Sequence, residues 1–377
     1  MIRKTLKAVG LFLVAFLIGC PGTLTKELGT ELAAPVSVAV DPASNRAYVV
    51  NSNSGVEFDG ASLSILDITS PTVPVLVSLG ANPISIPNLS GQIYLNTASK
   101  LAFVTNRESD NDQDVIDALL RVNLDEASAT FGTVDSFSQE RDPFGIACCD
   151  SSGKGFVVNS GGTLVSFDPG SPSSTVSLSL SVTLSTGLVS GKNAAEVALT
   201  TDQAFVTNRS GVVYAISTPE IGTGANPIDT VLTGAGSARG IAVDATNIYI
   251  VDGTTTDPLL RVVPRSSVPP VSPDSPTINE VAISSVQSAA ISVSHDPHEV
   301  VLFGGRAYVS NRGDDTVSVI NLSLSSLETT ISVGDEPFGL AAFTSGGSNY
   351  LYVTELVSNS LSIIDLSSNT VVATFSP

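Results

Sequence analysis

Basic side chains are scarce in this 377-residue chain: 17 Lys and Arg stand against 36 Asp and Glu, with two histidines and three cysteines. The formal charge of −19 repels phosphate backbones, so nucleic acid is excluded as an expected partner. It also disfavours adhesion of the protein surface to anionic lipid. Two histidines leave little for general-base chemistry. No Gly-rich phosphate loop, Cys-x-x-Cys-His haem attachment, His-Glu-x-x-His or Gly-x-Ser-x-Gly occurs. Charged residues of both signs make up only 14%, whereas apolar residues reach 42%, and Ser, Thr, Gly and Val are plentiful. That mix favours strands and tight turns over helices, because β-branched side chains fit a pleated surface.

The first seven residues (MIRKTLK) carry three basic side chains and no acid, Ala8–Gly19 (AVGLFLVAFLIG) is apolar, and Cys20 follows. A basic segment before a short apolar run is a secretory signal. The run is too short for a bilayer-spanning helix of roughly 20 residues. Leu17-Ile18-Gly19-Cys20 resembles the lipobox of bacterial lipoproteins. The resemblance implies that residues 1–19 are removed, that Cys20 is lipidated, and that residues 20–34 tether the acyl chains to the folded part. It places the chain in the bacterial cell envelope, on the periplasmic or cell-surface side. Pro21 is not the Asp of inner-membrane retention, so the outer membrane is the expected anchor. Loss of Arg3, Lys4 and Lys7 takes the formal charge from −19 to −22.

The hexamer AFVTNR occurs at Ala102–Arg107 and at Ala204–Arg209, and AYVSNR follows at Ala307–Arg312. The underlying aromatic-Val/Ile pair recurs seven times, beginning at Tyr48, Phe103, Phe156, Phe205, Tyr249, Tyr308 and Tyr352. Before each pair lies a short strand of small and aliphatic residues, such as Gly145–Cys148 or Gly339–Phe343, then a turn rich in turn-forming residues. A third strand follows, such as Leu63–Ile68 or Leu361–Leu366, and a more polar fourth, such as Val371–Phe375. Val176–Ser185 alternates with period two, as an outer strand with one wet face should. Four short strands cannot bury both faces alone. A radial ring of blades solves this and leaves only short outer edges. A solenoid would need polar caps at both ends, and none is evident. The expectation is an all-β, seven-bladed β-propeller of four-stranded antiparallel blades, one domain spanning residues 35–377.

Asp142–Ala147 and Glu336–Ala341 (Asp/Glu-Pro-Phe-Gly-Ile/Leu-Ala), the Tyr/Phe-Val-Thr-Asn anchors and Ser362–Leu366 together resemble the YVTN-type β-propeller repeat family. That family implies a propeller, commonly of seven blades, and no single activity.

Loops after the second strand and before the first share one face of such a ring. Arg107, Arg209 and Arg312 end the second strands of alternate blades, and Arg141 and Arg239 precede inner strands. Five arginines on one rim could hold a carboxylate or another acidic group by bidentate contacts. The alternative is that each pairs with an acid of the next blade, Arg107 with Asp142 or Arg312 with Asp335 and Glu336. His295, His298 and Glu299 could bind a divalent transition metal, though His298 replaces the Phe of the repeat and would then pack at a blade junction. Asp110, Asp112 and Asp114 resemble the start of a calcium loop but lack its Gly and its final Glu, which favours a solvated acidic loop. Cys148 and Cys149 are adjacent. Alternation along a strand predicts two separate buried thiols, and a vicinal disulfide is the alternative in an oxidising compartment.

The expected role is a binding or scaffolding module, anchored to the membrane through acyl chains on Cys20, for an envelope protein or a small ligand. The competing readings are a metal-dependent hydrolase of lactonase type, and a redox accessory that carries a metal through His295 and His298.

Overall fold

The computed structural model describes residues 32–52, 61–78, 82–87, 90–107, 117–138, 142–169, 181–183, 193–221, 227–254, 256–268 and 279–376. Seven β-sheets follow one another along the chain, five of them built wholly from consecutive strands. The inner strands are Pro35–Asp41, Ser90–Asn96, Pro143–Ala147, Ala194–Leu199, Ala238–Val243, Pro297–Phe303 and Pro337–Ser345. These open blades 1 to 7. The seven sequence anchors are the second strands, from Arg46–Asn51 in blade 1 to Ser348–Glu355 in blade 7. The fold is an all-β seven-bladed propeller, mostly of four-stranded antiparallel sheets.

The anchors are nearly continuous in apolar residues because both faces of a second strand are covered. In blade 1, Tyr48 and Val50 enter the core shared with blade 2, while Ala47 and Val49 enter the core shared with blade 7. Period-two alternation therefore sorts residues between two dry interfaces instead of a dry and a wet side. Outer strands do have a wet side: Thr370–Phe375 alternates exposed and half-buried positions.

Each inner strand touches the inner strands of its two neighbours, and that of blade 7 touches that of blade 1. Among the described residues no strand is exchanged between the ends. Closure rests on a core of Val38, Val49, Leu66, Phe343, Tyr352 and Ile363, with Leu32 packed into it. Two hydrogen bonds reinforce the seam: Tyr352 Oη donates to Pro71 O at 2.7 Å, and Ala34 N donates to Asn359 Oδ1 at 2.7 Å.

Two blades depart from four strands. In blade 1 the outer strand is only Val75–Leu76, and Ile84–Ile86 also pairs with the third strand. In blade 4 the segment Asn279–Ala282 adds parallel to the outer strand Ile228–Thr233. The chain then passes through the single turn Ile283–Val286 and supplies the outer strand of blade 5, Ala289–Ser292. This excursion joins blades 4 and 5. Asn279-Glu-Val-Ala is too short and too exposed to carry a strand pattern of its own.

Candidate functional site: the mouth and axial channel

All seven inner strands carry the same irregularity. Near the start of each, the register against the second strand slips by one residue. Such a bulge re-aims side chains and bends the strand. Aligned on it, the residues just before the slip's end form two layers around the axis. The upper layer is Val36, Gly91, Phe144, Ala195, Arg239, His298 and Phe338. The lower layer is Ser37, Gln92, Gly145, Glu196, Gly240, Glu299 and Gly339.

Above these layers, in six of the blades, the residue that follows the second strand is tied to the residue that precedes the inner strand. Ser52, Ser160, Arg209, Gly253, Arg312 and Leu356 donate their amides to Ala34, Asp142, Asn193, Ser237, Asp296 and Glu336, at 2.8 to 3.0 Å. Four of the acceptors (Ala34, Asp142, Asp296 and Glu336) hold φ near +50°. This backbone girdle puts the rim arginines beside the residues that open the inner strands.

The four described rim arginines behave in two ways. Arg239 forms an ion pair with Asp296 of blade 6, and Arg312 pairs with Glu336 of blade 7 at 2.5 Å, with Asp296 at 3.9 Å. The expected pairing of Arg107 with Asp142 does not form: Asp142 accepts the hydroxyl of Ser160 at 2.9 Å. The guanidinium of Arg107 instead lies 5.3 Å from the centroid of the Phe144 ring, and that of Arg209 lies 5.6 Å from the same ring. Arg107 Nε is buried without a hydrogen-bond partner. Burial lowers the Arg209 pKa first, and the guanidiniums of Arg239, Arg107 and Arg312 lower it further, with Glu196 opposing. Two guanidiniums thus contact one aromatic ring, each attracted by its quadrupole, with no ion-paired carboxylate on either among the described residues. Arg141 lies outside the described residues.

Between mouth and channel sits an aromatic plug. The His298 ring lies 3.8 Å from that of Phe338 and 6.3 Å from that of Phe144, and Arg312 stacks over Phe338 at 5.2 Å. Burial, then Arg312, Arg209 and Arg239, push the His298 pKa well below its usual value, so the ring is neutral. His298 therefore packs as the Phe of the repeat does. His295 is exposed instead, with Nδ1 2.9 Å from Asp314 Oδ2. Among the described residues no group of three or more His, Cys, Asp or Glu is placed to hold a metal ion. Asp110, Asp112 and Asp114 lie outside the described residues, as does Cys20.

Below the plug is a cavity of about 210 Å³, lined from all seven blades and including Ser37, Gln92, Glu196 and Glu299. In three blades the lower-layer side chain accepts the amide of the next blade. Ile93 N donates to Ser37 Oγ at 3.4 Å, Ile146 N to Gln92 Oε1 at 3.1 Å, and Leu340 N to Glu299 Oε2 at 3.2 Å. Glu196 breaks this pattern, because its Oε1 is buried without a partner. Burial raises the Glu299 pKa to about 8, against the Leu340 amide. Burial and then the charge of Glu299 raise that of Glu196, against Gln92 and Arg209. Gly145, Gly240 and Gly339 are required here: a Cβ on Gly145 would lie 2.7 Å from Ala195 O and 2.8 Å from Glu196 Cα.

On the opposite face, Cys148 and Cys149 are joined as a vicinal disulfide, and Cys149 is exposed, with Tyr94 Oη 3.7 Å from its sulfur. The expectation of two separate buried thiols does not hold. The inner strand ends at Ala147, so strand alternation does not govern residues 148 and 149.

Gln92 and Glu196 belong to no motif of the sequence, whereas Phe144 and Phe338 are the Phe of the repeat that His298 replaces. The signal of Gln92 and Glu196 is faint: the seven inner strands must be aligned on the bulge, after which Gln, Glu and Glu recur in blades 2, 4 and 6.

No family model and no curated protein matches the sequence. Solved structures do. A chain of the Kuenenia stuttgartiensis hydrazine synthase is similar with a TM-score of 0.65 and 12% identity, over 91% of this chain and 98% of that one. The computationally designed Ika8 protein is similar with a TM-score of 0.57 and 9% identity, over 93% of this chain and 89% of that one. At such identities the likeness is one of fold.

Proposed function

We propose that the protein is a YVTN-like, lipid-anchored binding module of the bacterial envelope, and that its mouth takes an anionic group of a partner protein or small ligand. The observation that carries this reading is the pair Arg107 and Arg209, two guanidiniums on the ring of Phe144 with no ion-paired carboxylate on either among the described residues. Arg239 and Arg312 are compensated by Asp296 and Glu336, so they shape the rim and hold it together. An acidic side chain, a C-terminal carboxylate or a small carboxylate would find planar donors and an aromatic platform. The overall negative charge repels an acidic partner elsewhere and favours this one basic spot. The anchor reading rests on Leu17–Cys20 after its apolar run.

The test has two parts. Growth with radiolabelled palmitate should label the full-length chain in the membrane fraction, and Cys20→Ser should abolish the label; retention of label would overturn the anchor. In-cell cross-linking followed by mass spectrometry should recover an envelope partner, or differential scanning in small di- and tricarboxylates should raise the melting temperature. Arg107→Ala with Arg209→Ala should lose the effect. Unchanged capture and unchanged carboxylate response in the double variant would overturn the mouth as the binding site.

A further inference from the structure

We propose that the channel beneath the plug is a cation site, in which Glu196 and Glu299, with Gln92 and Ser37 beside them, take a hard divalent cation of the calcium class. This goes beyond the reading of the mouth and does not depend on it.

The argument starts from one oxygen. Glu196 is 7% exposed, lines the cavity, and has no hydrogen-bond partner at Oε1. A buried carboxyl oxygen without a partner is costly. At the same position in blades 1, 2 and 6, Ser37, Gln92 and Glu299 each accept an amide from the next blade. Glu196 faces the same cavity as Glu299, and the two are close enough for the charge of one to disfavour that of the other. A shared cation removes both penalties at once.

The donor set selects the ion. The polar side chains among the lining residues are two carboxyls, one carboxamide and one hydroxyl, and no His or Cys is among them. Oxygen-only sites suit calcium or magnesium rather than zinc or copper. Two carboxylates balance a charge of two, whereas a single ammonium would leave one in excess. The protein donors are fewer than the six to eight oxygens that calcium takes, and a cavity of about 210 Å³ has room for the waters that complete the shell. Rigid octahedral magnesium fits less well between side chains fixed on different blades.

The experiment uses the full-length chain in mild detergent, stripped with chelator and dialysed, then titrated calorimetrically at pH 8 with calcium, magnesium or zinc chloride. One calcium per chain is expected, tighter than magnesium, with a calcium-dependent rise in melting temperature. Glu196→Gln and Glu299→Gln should each weaken calcium at least about tenfold, as loss of one of two charged ligands does. Asp112→Asn, in the acidic loop, should bind as the parent does. Gln keeps the shape of Glu and removes a buried charge, so Glu196→Gln is expected to stay folded and suffices if Glu299→Gln does not. The proposal is overturned if calcium fails to saturate the parent by about 10 mM, beyond the weakest extracellular calcium modules. It is equally overturned if Glu196→Gln binds unchanged, or if Asp112→Asn alone abolishes binding.

Discussion

The hydroxyl of Thr207 in blade 4 donates to the carbonyl oxygen of Arg239 in blade 5 at 2.5 Å, while accepting the amide of Glu196 in its own bulge at 3.0 Å. Thr105 does the same between Gln92 and Phe144, at 3.0 and 2.8 Å, and Ser310 between Glu299 and Phe338, at 3.1 and 2.9 Å. One hydroxyl therefore serves the bulge and the next blade together. Blades 1, 3 and 5 carry Val50, Val158 and Val251 at this place. Over blades 1 to 6 the chemical repeat is thus a pair of blades, which is why AFVTNR and AYVSNR recur at 102 and 103 residues; blade 7 breaks the pairing, because its Thr354 also accepts a bulge amide, that of Gly339, at 2.8 Å.

Thr207→Val tests the stitch. Valine keeps the branched shape but leaves the Glu196 amide and the Arg239 carbonyl without their partner. Loss of a buried polar partner costs about 1–3 kcal/mol. Urea unfolding of variant and parent should show that loss with little change in slope, and equal stability would mean that the hydroxyl is dispensable.

Gly339→Ala tests the closing seam. A Cβ there would lie 2.7 Å from Val36 O and 2.8 Å from Ser37 Cα. Blade 7 and blade 1 must then move apart, and overpacking of this kind costs typically about 1–3 kcal/mol. Thermal unfolding should show a lower midpoint, and hydrogen exchange should rise first in the strands Pro35–Asp41 and Pro337–Ser345. A wild-type midpoint would show that the seam has slack.

The pH dependence of stability has a defined sign. Glu299 titrates near 8 in the folded state against the ordinary 4.5, and Glu196 is shifted the same way. Between those values the folded state holds protons that the unfolded state releases, so the contribution is complete at low pH and lost as pH rises through about 8. His298 has the opposite sign: its depressed pKa makes stability fall as pH drops below 6.5. The window from 6.5 to 8 therefore isolates the carboxyls. In chelator, the parent should lose stability across it, on the order of 1–2 kcal/mol by linkage. Glu299→Gln should flatten the profile. A parent whose stability is level or rising across this window contradicts the buried-carboxyl account.

Arg209 should be a residue that binding needs and folding does not. Burial and three neighbouring guanidiniums disfavour its charge. Arg209→Gln is expected to raise the melting temperature slightly at low salt, with the gain shrinking as salt screens the cluster. A fall in melting temperature would show that its stack on Phe144 outweighs the repulsion.

The sequence by itself determined the ring. Its signals are local: a strand buried on both faces is nearly continuous in apolar residues around an aromatic-Val/Ile pair, and turn residues flank it, so seven copies are legible one at a time. It also placed Arg107, Arg209, Arg312 and Arg239 on one rim, because strand order alone fixes which loops share a face. Only the tertiary structure decided what those arginines meet, since Phe144 is approached from blades 2 and 4 at once and Asp142 turns to Ser160. The channel was equally hidden. Gln92, Glu196 and Glu299 are each about a hundred residues apart, their strands look ordinary singly, and a one-residue bulge decides that they face the axis. The parallel strand Asn279–Ala282 carries no periodic signal, because its place is set by the open edge of blade 4 and not by its own side chains. Cys148 and Cys149 show the same limit: where the strand stops, the alternation that governs its side chains stops with it.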